Sequence, residues 1–366
     1  MDEPQAPSLE GFSLQAFTLQ SLTQGLMSLR PLRIVLPGGS GQLGHMLARH
    51  LQERGHRVTV LTRGPYTAPW QTVHWDGEHT GPWTETMEGA DVCINLAGRS
   101  VNCRYNAENR QAIYNSRIRS TRLLNHVIAG LADPPRVWLN ASAATLYKRA
   151  LDPNGVDLPL DEATGEVGGY EPVADSDPVA ARWGRGRDFG RDFSSRVVRD
   201  WEAAFFGTET PRTRKVALRS AVTISPTPGN VFAVLSNLVR LGLGGTQGNG
   251  KQFVSWIHES DYARAVEFIL AHDDLAGPIN IAAPNPLANR AFMEALRDAW
   301  GRPNGLPAPS LAIKIGAFFL RTESELVLKS CRAVPGRLLD AGFRFEFPEW
   351  PDAADDLVRQ WRHRHD

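Results

Sequence analysis

The sequence predicts an α/β fold in which helices cover both faces of a doubly wound parallel sheet. Strand patterns alternate with helical patterns through about the first two-thirds of the 366 residues. A glycine-rich turn joins the first strand to the first helix, and a second strand follows that helix, as a right-handed βαβ unit requires. The alternation stops beyond Pro303, where we expect a small, mostly helical C-terminal unit on the substrate side.

The first βαβ unit has the clearest pattern along the chain. Its opening strand is the apolar-rich run Leu32–Leu36, and Leu43, Leu47 and Leu51 recur on one face of the helix that follows. The other predicted strands are 57–62, 72–75, 91–98, 136–143, 215–224, 253–258 and 279–284. The other predicted helices are 108–129, 195–206, 231–240, 262–272 with Asp261 as its cap, 311–320, 323–330 and 336–341.

The turn between the first strand and helix has the spacing Gly39-x-Gly41-x-x-Gly44. A tight turn needs a residue without Cβ, a pyrophosphate approaches the backbone only where no side chain intrudes, and the helix N-terminus offers unpaired N–H groups to the anion. An ordinary glycine turn is the alternative, but the strand–turn–helix context favours a dinucleotide site of the Rossmann type. Its predicted residues are Gly38, Gly39, Ser40, Gly41, Gln42, Leu43 and Gly44.

Three further segments complete the predicted cofactor site. Arg63 closes the second strand 19 residues after Gly44, near the distance at which these domains read the adenosine ribose. An arginine there holds a 2′-phosphate, so NADP is expected and NAD is less favoured. The small-residue turn Leu96, Ala97 and Gly98 follows another buried strand, and Asp76 is placed either to contact adenine or to cap the next element.

The bulk composition excludes several other functions. Lysine plus arginine and aspartate plus glutamate both number 40, so the net charge is zero and does not favour nucleic acid or an anionic membrane. No run approaches the roughly 18 apolar residues of a membrane span. The three cysteines have neither a disulfide nor a metal-ligand pattern. We expect a cytoplasmic protein with a small-molecule substrate, no metal, and no nucleic-acid or membrane partner.

Three parts are expected along the chain. Residues 31–305 form the dinucleotide-binding domain and residues 306–366 the C-terminal unit. Residues 1–30 begin with acidic residues rather than the basic start of a signal peptide. They are expected to be a disordered extension or the product of an early start codon, with a short docking helix as the rival interpretation.

Several segments together resemble the extended short-chain dehydrogenase/reductases, and within them the epimerase-family proteins described as nucleoside-diphosphate-sugar epimerases. The segments are 38–44, 95–98, 115–121, 141–143, 201–204, 218–220 and 255–258, with 334–343 resembling that family's C-terminal domain of unknown function. The resemblance implies an NADP-type Rossmann domain. It also implies an oxidoreductase or epimerase that transfers hydride to or from a small substrate, such as a nucleotide sugar or a carbonyl compound.

The catalytic pattern of that superfamily is missing. It uses a tyrosine and a lysine four residues later, yet none of the six tyrosines is followed by lysine at that distance. The corresponding places hold about Ser194 and Val198. A second hypothesis is therefore a catalytically silent, NADP(H)-binding regulator or scaffold.

Two residues remain as catalytic candidates, each with a structural alternative. Ser142 lies at the end of the strand where the superfamily keeps its catalytic serine. If Tyr147 is matched to the tyrosine of the superfamily's Val-Tyr-Gly turn, however, Ala143 takes the serine position. Tyr147 is an alternative acid beside the nicotinamide or else a half-buried core residue.

Three residues are predicted to bind substrate. Arg117 stands where many members of that superfamily keep an asparagine on this helix. It either reaches an anionic substrate or is a solvated charge on the helix. Trp256 and His258 stand where extended members of the superfamily line their substrate cleft. The alternative for His258 is a structural histidine near a helix cap. The long loop 148–192 either closes over a phosphorylated substrate or is a basic disordered loop; its arginines are Arg182, Arg185, Arg187 and Arg191.

Overall fold

The computed structural model describes residues 30–168, 193–310, 313 and 328–365. Its strands are β1 (Arg33–Pro37), β2 (Arg57–Thr62), β3 (Gln71–His74), β4 (Val92–Asn95), β5 (Val137–Ala143), β6 (Arg214–Ser220), β7 (Val222–Ile224), β8 (Phe253–Val254), β9 (Trp256–His258), β10 (Gly277–Ile281) and β11 (Leu287–Ala288). Its helices are α1 (Gln42–Glu53), α2 (Ala107–Gly130), α3 (Phe193–Phe206), α4 (Val231–Arg240), α5 (Glu259–Ala271), α6 (Asn289–Ala299), α7 (Gly336–Asp340) and α8 (Trp350–His365).

Seven strands form one parallel sheet in the order β10-β6-β5-β4-β1-β2-β3. Val35 of β1 lies opposite Thr59 on one side and Cys93 on the other. The chain runs outward from β1 to β3 and then returns to place β4 beside β1. This reversal makes a topological switch point, where open α/β sheets bind ligands at the carboxyl ends of their strands. The predicted doubly wound fold is confirmed.

Helices cover the sheet on both faces, and each face has its own apolar core. Leu47 and Leu51 of α1 are fully buried against Leu36 and Val60 of the sheet. On the other face, Trp138 of β5 packs edge-to-face on Phe205 of α3 and joins residues of α2. Burial of such side chains stabilises the fold by about 1.5–3 kcal/mol each.

Two predicted strands are divided in the structure. The strand expected over 215–224 ends at Ser220, because its pairing with β10 closes at the Ala221 N–H to Ile281 hydrogen bond and the Val222 N–H then donates to the carbonyl of Ser255 instead. Its continuation β7 pairs with β9 in a separate small sheet, while β8 pairs with β11. The expected strand 253–258 is likewise split at Ser255, whose hydroxyl donates to the carbonyl of Cys331.

The prediction that Asp261 caps its helix is wrong. Helix α5 begins at Glu259, and the ring of His258 accepts the capping hydrogen bond from the N–H of Ser260. Asp261 instead lies fully buried in the first turn. Its carboxylate accepts the N–H groups of Glu346 and Phe347, both at 2.8 Å, and so ties the C-terminal segment to the α/β domain.

The C-terminal region contains one helix that we predicted, α7, and one that we did not, α8. Trp350 at the start of α8 stacks on Phe292 of α6, with ring centroids 4.0 Å apart. The apolar spacing at Ala353, Ala354 and Leu357 could have revealed this helix in the sequence. The helices expected at 311–320 and 323–330 lie mostly outside the described residues, as do residues 1–29; Lys329 and Ser330 are described and are not helical. None of the described helices is both long and apolar enough to cross a membrane.

Candidate cofactor and substrate site

Three glycines of the turn after β1 are required by the packing of the chain itself. Gly38 has a φ of +74°, and a Cβ there would lie 2.6 Å from the Cα of Ala97. A Cβ on Gly39 would lie 2.8 Å from the Cβ of Leu36. A Cβ on Gly44 would lie 2.4 Å from the Cα of Gly39, so the helix could not sit this close to the turn.

Gly41 differs from its neighbours, because nothing among the described residues requires a glycine there. Its φ is −74°, and the nearest atom to an added Cβ is the Gly38 carbonyl oxygen at 3.8 Å. Gly41 is the N-cap of α1 but supplies no capping side chain, and the first turn has no acidic residue. The helix therefore begins with unpaired N–H groups and open space beside them, which fits a bound diphosphate.

Two small cavities adjoin this turn at the carboxyl edge of the sheet. One of about 220 Å³ lies against Ser40 and Gly41, and one of about 210 Å³ lies between Leu43 and Glu259. Gln42 lines both and donates from Nε2 to the carbonyl of Pro228 at 2.7 Å. A larger cavity of about 510 Å³ is lined instead by the residues that begin β1, β2 and β3, at the opposite edge, so volume alone does not mark the site.

The adenosine end of the predicted site contains one unengaged cation. Arg63 is exposed just after β2 and has no hydrogen bond or ion pair within the part of the chain that the structure describes. Its neighbour Thr62 donates to the hydroxyl of Ser40 at 3.1 Å, which draws the end of β2 to the glycine turn. Arg63 is therefore positioned beside the turn and available to a ligand.

Asp76 does not cap the next element, because the short 3-10 helix Pro82–Thr86 begins after Gly81 without a side-chain cap; Asp76 instead stabilises the turn that it begins. Its Oδ1 accepts the N–H groups of Glu78 and His79 at 2.8 Å, and its Oδ2 lies 2.7 Å from the His79 ring. These hydrogen bonds hold the pKa of the exposed carboxyl well below its usual range. A contact with adenine stays a prediction.

The turn after β4 is fixed by buried amides. The Leu96 N–H donates to the carbonyl of Pro37, and the Ala97 N–H donates to Asn95 Oδ1 at 3.1 Å. Asn95 is fully buried and donates to Asn140 Oδ1 at 2.7 Å. This places Ala97 against Gly38, so the two predicted cofactor segments meet at the switch point.

Arg117 of α2 lies against the last residue of that turn. Its Cζ would stand 3.2 Å from a Cβ on Gly98, and its guanidinium lies over the ring of Trp201 at 5.2 Å. Nη1 donates to the carbonyls of Arg99 and Ile113, both at 3.0 Å. Burial lowers the pKa of Arg117 to about 10, so the group still carries its charge at neutral pH.

The two catalytic candidates belong to a single buried polar network. Ser142 donates to Glu202 Oε1 at 2.6 Å, and Glu202 forms a two-pronged ion pair with Arg219 at 2.9 and 2.7 Å. Arg219 Nη1 also donates to the Tyr147 hydroxyl at 3.0 Å, which in turn donates to Asn280 Oδ1 at 2.7 Å. The network links β5, α3, β6 and β10.

This network limits what its hydroxyl groups can do. Ser142 and Tyr147 are each only 6% exposed, and both donate their protons to protein acceptors. Burial raises the pKa of Tyr147 above its ordinary value, so its phenol is a weaker acid and forms less phenolate at neutral pH. Their catalytic roles stay predictions. Sequence reasoning missed Glu202, Arg219 and Asn280 as partners, because strands far apart in sequence bring them together.

Trp256 and His258 lie in the core under α8. Trp256 is fully buried and packs on Trp350, with ring centroids 5.1 Å apart. His258 is 1% exposed, caps α5 through Nδ1, and places Nε2 3.3 Å from the carboxylate of Asp356. Neither lines the cavities beside the glycine turn, so the structure does not bring them together with the cofactor segments. Their role in substrate binding stays a prediction.

A lysine from the C-terminal region approaches the start of α3. Lys329 Nζ donates to the hydroxyl of Ser195 at 3.1 Å and lies 3.4 Å from the carbonyl of Thr145. Ser195 directly follows Ser194, the place where the superfamily keeps its tyrosine. The arginines of the long loop, from Arg182 to Arg191, lie outside the described residues. In the described ranges no cluster of three histidine, cysteine, aspartate or glutamate side chains is arranged to hold a metal.

Comparison with known proteins identifies the family. Residues 34–170 match the NAD dependent epimerase/dehydratase family, and residues 308–357 match a domain of unknown function (DUF1731). The epimerase family protein SDR39U1 of Bos taurus is 32% identical over 89% of this chain and 100% of its own length. This chain belongs to the epimerase family. The resemblance stated from the sequence is therefore confirmed, and members of this type are atypical short-chain dehydrogenase/reductases.

Solved structures of epimerase-family proteins share this fold. The human epimerase family protein SDR39U1 (isoform 2), solved with NADPH, is 28% identical with a TM-score of 0.72 over 89% of this chain and 99% of that one. A nucleoside-diphosphate sugar epimerase from Corynebacterium glutamicum is 25% identical with a TM-score of 0.67, over 93% of this chain and 62% of that one. The fold of this chain is thus that of NAD(P)-binding epimerase-family proteins.

Proposed function

We propose that this protein binds NADP(H) and transfers a hydride between the nicotinamide and a small substrate, either from NADPH to a carbonyl or from an alcohol to NADP+. The observation that carries the proposal is Gly41. Three glycines of its turn are explained by internal packing, whereas the open space beside Gly41 matches a ligand bound at the helix N-terminus. That space lies at the switch point of the sheet, where the fold places its ligands.

Different residues around the turn bind different parts of the cofactor. The α1 amides beside Gly41 hold the diphosphate, and the Gly98 turn contacts the nicotinamide half. Arg63 binds the 2′-phosphate, because a guanidinium with no partner among the described residues can donate two parallel hydrogen bonds to phosphate oxygens. The presence of NADPH in the human relative's structure supports this choice over NAD.

When bound, NADPH supplies the hydride and the chain supplies the binding site, the orientation and the electrostatics. An alcohol–carbonyl interconversion also needs a proton donor near the reacting oxygen. Ser142 and Tyr147 remain our candidates. For either to act, its hydroxyl must exchange its present acceptor, Glu202 or Asn280, for the substrate.

The same network favours a second candidate function. The hydroxyls of Ser142 and Tyr147 are both engaged by buried acceptors, and the chain lacks the tyrosine–lysine pair. These features suit a protein that holds NADP(H) without turning it over. Such a protein acts as a cofactor-dependent regulator or scaffold. Calorimetry and stopped-flow absorbance distinguish the two functions.

The first measurement is binding of NADPH and NADH by calorimetry. The proposal expects saturable binding with NADPH tighter, and no uptake of either coenzyme at millimolar concentration contradicts it. The second measurement is nicotinamide absorbance during exposure to aldehydes, ketones and sugar nucleotides. A change that is lost in Tyr147→Phe or Ser142→Ala supports hydride transfer, and tight binding with flat absorbance throughout supports the silent alternative.

We also propose that the protein works in the reducing environment of the cytoplasm. Cys93, Cys103 and Cys331 are all free thiols in the structure, and Cys93 is fully buried. A chain that leaves every cysteine unpaired is typical of a reducing compartment.

A further inference from the structure

One half-buried guanidinium stands at the carboxyl edge of the sheet without an acidic partner. Among the described residues, no carboxylate comes within ion-pair distance of Arg117, whereas Arg219 pairs with Glu202 and Arg264 with Asp261. A guanidinium removed from water is normally compensated by an anion or by a full set of acceptors. Arg117 has neither.

The guanidinium is nevertheless held in one orientation. Both Nη1 hydrogens are committed to the carbonyls of Arg99 and Ile113, and the group lies against Gly98 and 5.2 Å from the centre of the Trp201 ring. Nε and Nη2 have no acceptor among the described residues. Arginine thus presents an unused edge of N–H donors, which is the edge that binds carboxylate or phosphate in parallel pairs.

The position of Arg117 separates it from the anionic groups of the cofactor. The strand order β4-β1-β2 places Gly41 after β1, Arg63 after β2, and Gly98 with Arg117 after β4. Because neighbouring strands lie about 4.8 Å apart, the ends of β2 and β4 are about 10 Å apart. The 2′-phosphate and the diphosphate of NADPH occupy the first two positions in the proposed binding mode. Arg117 lies beyond them, on the nicotinamide side.

We propose that Arg117 binds an oxyanion of the substrate, a carboxylate or a phosphate group, and holds it beside the nicotinamide. This inference deepens the proposed function and rests on it, because it takes the cofactor's own anionic groups to be bound elsewhere. The substrate is then a small carbonyl or hydroxy compound that carries a negative charge near its reacting carbon. A neutral analogue of the same size leaves the guanidinium without a partner and binds weakly.

The test uses the full chain saturated with NADPH, with malonate and inorganic phosphate as separate probes. Nicotinamide fluorescence and calorimetry follow each titration at constant ionic strength, with malonamide as the neutral control. The variants are Arg117→Met and Arg117→Lys. Arg119→Gln serves as the matched control, because this exposed arginine on the same helix pairs with Glu78 on the surface.

We expect one probe to bind the wild-type protein saturably and malonamide not to bind. Arg117→Met should weaken that binding more than tenfold, Arg117→Lys should retain part of it, and Arg119→Gln should leave it unchanged. NADPH affinity should stay within twofold in all three variants. If Arg117→Met fails to fold, Arg117→Lys, which keeps the charge, still tests the inference. Its probe binding should be weaker than that of the wild type while its NADPH affinity is unchanged.

Three outcomes would overturn the inference. The first is a wild-type protein that binds NADPH but neither probe, and the second is unchanged probe binding in Arg117→Met. The third is a parallel loss of NADPH affinity in Arg117→Met, which would assign Arg117 to the cofactor site. A wild-type protein that takes up no NADPH would instead contradict the proposed function, so the two failures are distinguishable.

Discussion

Replacing Gly41 by serine should separate the stability of the fold from its capacity to bind cofactor. Gly41 is the N-cap of α1, with extended backbone angles of −74° and 170° that any residue can adopt. An added Cβ meets nothing closer than 3.8 Å. The serine hydroxyl would accept an N–H of the first helical turn, the same N–H groups that the diphosphate requires.

The expected magnitudes follow from this geometry. Serine is preferred to glycine at an N-cap by a few tenths of a kcal/mol, so the free energy of unfolding should be unchanged or rise by up to about 0.5 kcal/mol. The new side chain fills the space proposed for the diphosphate, and we expect NADPH affinity to fall at least tenfold, about 1.4 kcal/mol.

Gly44→Ala provides the matched contrast. Its Cβ would lie 2.4 Å from the Cα of Gly39, about 1 Å closer than an ordinary contact. Relieving this clash requires a shift of the backbone, because no flexible side chain is involved. Overpacking of this kind destabilises a fold by about 1–3 kcal/mol or more. Gly44→Ala should therefore unfold at a clearly lower urea concentration than the wild type.

The measurements are urea unfolding followed by fluorescence and NADPH titration by calorimetry. If Gly41→Ser binds NADPH within twofold of the wild type, the space beside Gly41 does not receive the diphosphate and the reasoning is refuted. If Gly41→Ser is destabilised by more than about 1 kcal/mol, the glycine has a structural role that the geometry does not show.

Three further outcomes are expected. Arg63→Asp should weaken NADPH binding more than tenfold and spare NADH in the same titration; equal losses would exclude the 2′-phosphate role. Arg219→Met should lower the free energy of unfolding by about 3–5 kcal/mol, because it leaves the buried Glu202 carboxylate unpaired, and adding Glu202→Gln should recover part of the loss. Burial lowers the pKa of His258 below its ordinary value of 6.5, so the stability from its neutral form is complete above that pH and is lost as the pH falls below it. Urea midpoints between pH 7.5 and 5.5 should therefore fall less steeply in His258→Asn, whose amide can still cap α5; identical slopes would contradict this.

Local patterns were sufficient for the α/β core. The apolar run of β1, the short strand pattern of β2 and the four-residue spacing of leucines in α1 located these elements correctly, because the central parallel strands are buried on both faces and the helix buries one stripe. Patterns failed where a tertiary contact decided the outcome. The strand expected over 215–224 was divided because the Val222 N–H leaves the ladder with β10 and donates to the carbonyl of Ser255, which is distant in the chain.

The candidate site shows the same division. The glycine turn is a local device and was visible in the sequence, as was the missing tyrosine–lysine pair. The engagement of Ser142 and Tyr147 by Glu202, Arg219 and Asn280 was not visible, because these residues come from four separate elements. No spacing rule relates side chains that meet only when parallel strands align.

The sequence by itself determined the order of strands and helices, the glycine turn and the arginine that follows β2, because each depends on neighbours along the chain. Only the tertiary structure decided which polar groups are already satisfied and which remain available. It buried His258 beneath α8, closed the Ser142–Tyr147 network, and left Arg117 with no carboxylate partner in the part of the chain that the structure describes. The physical reason is that burial and hydrogen-bond partners are properties of the packed molecule, and they determine which side chains can still bind a ligand.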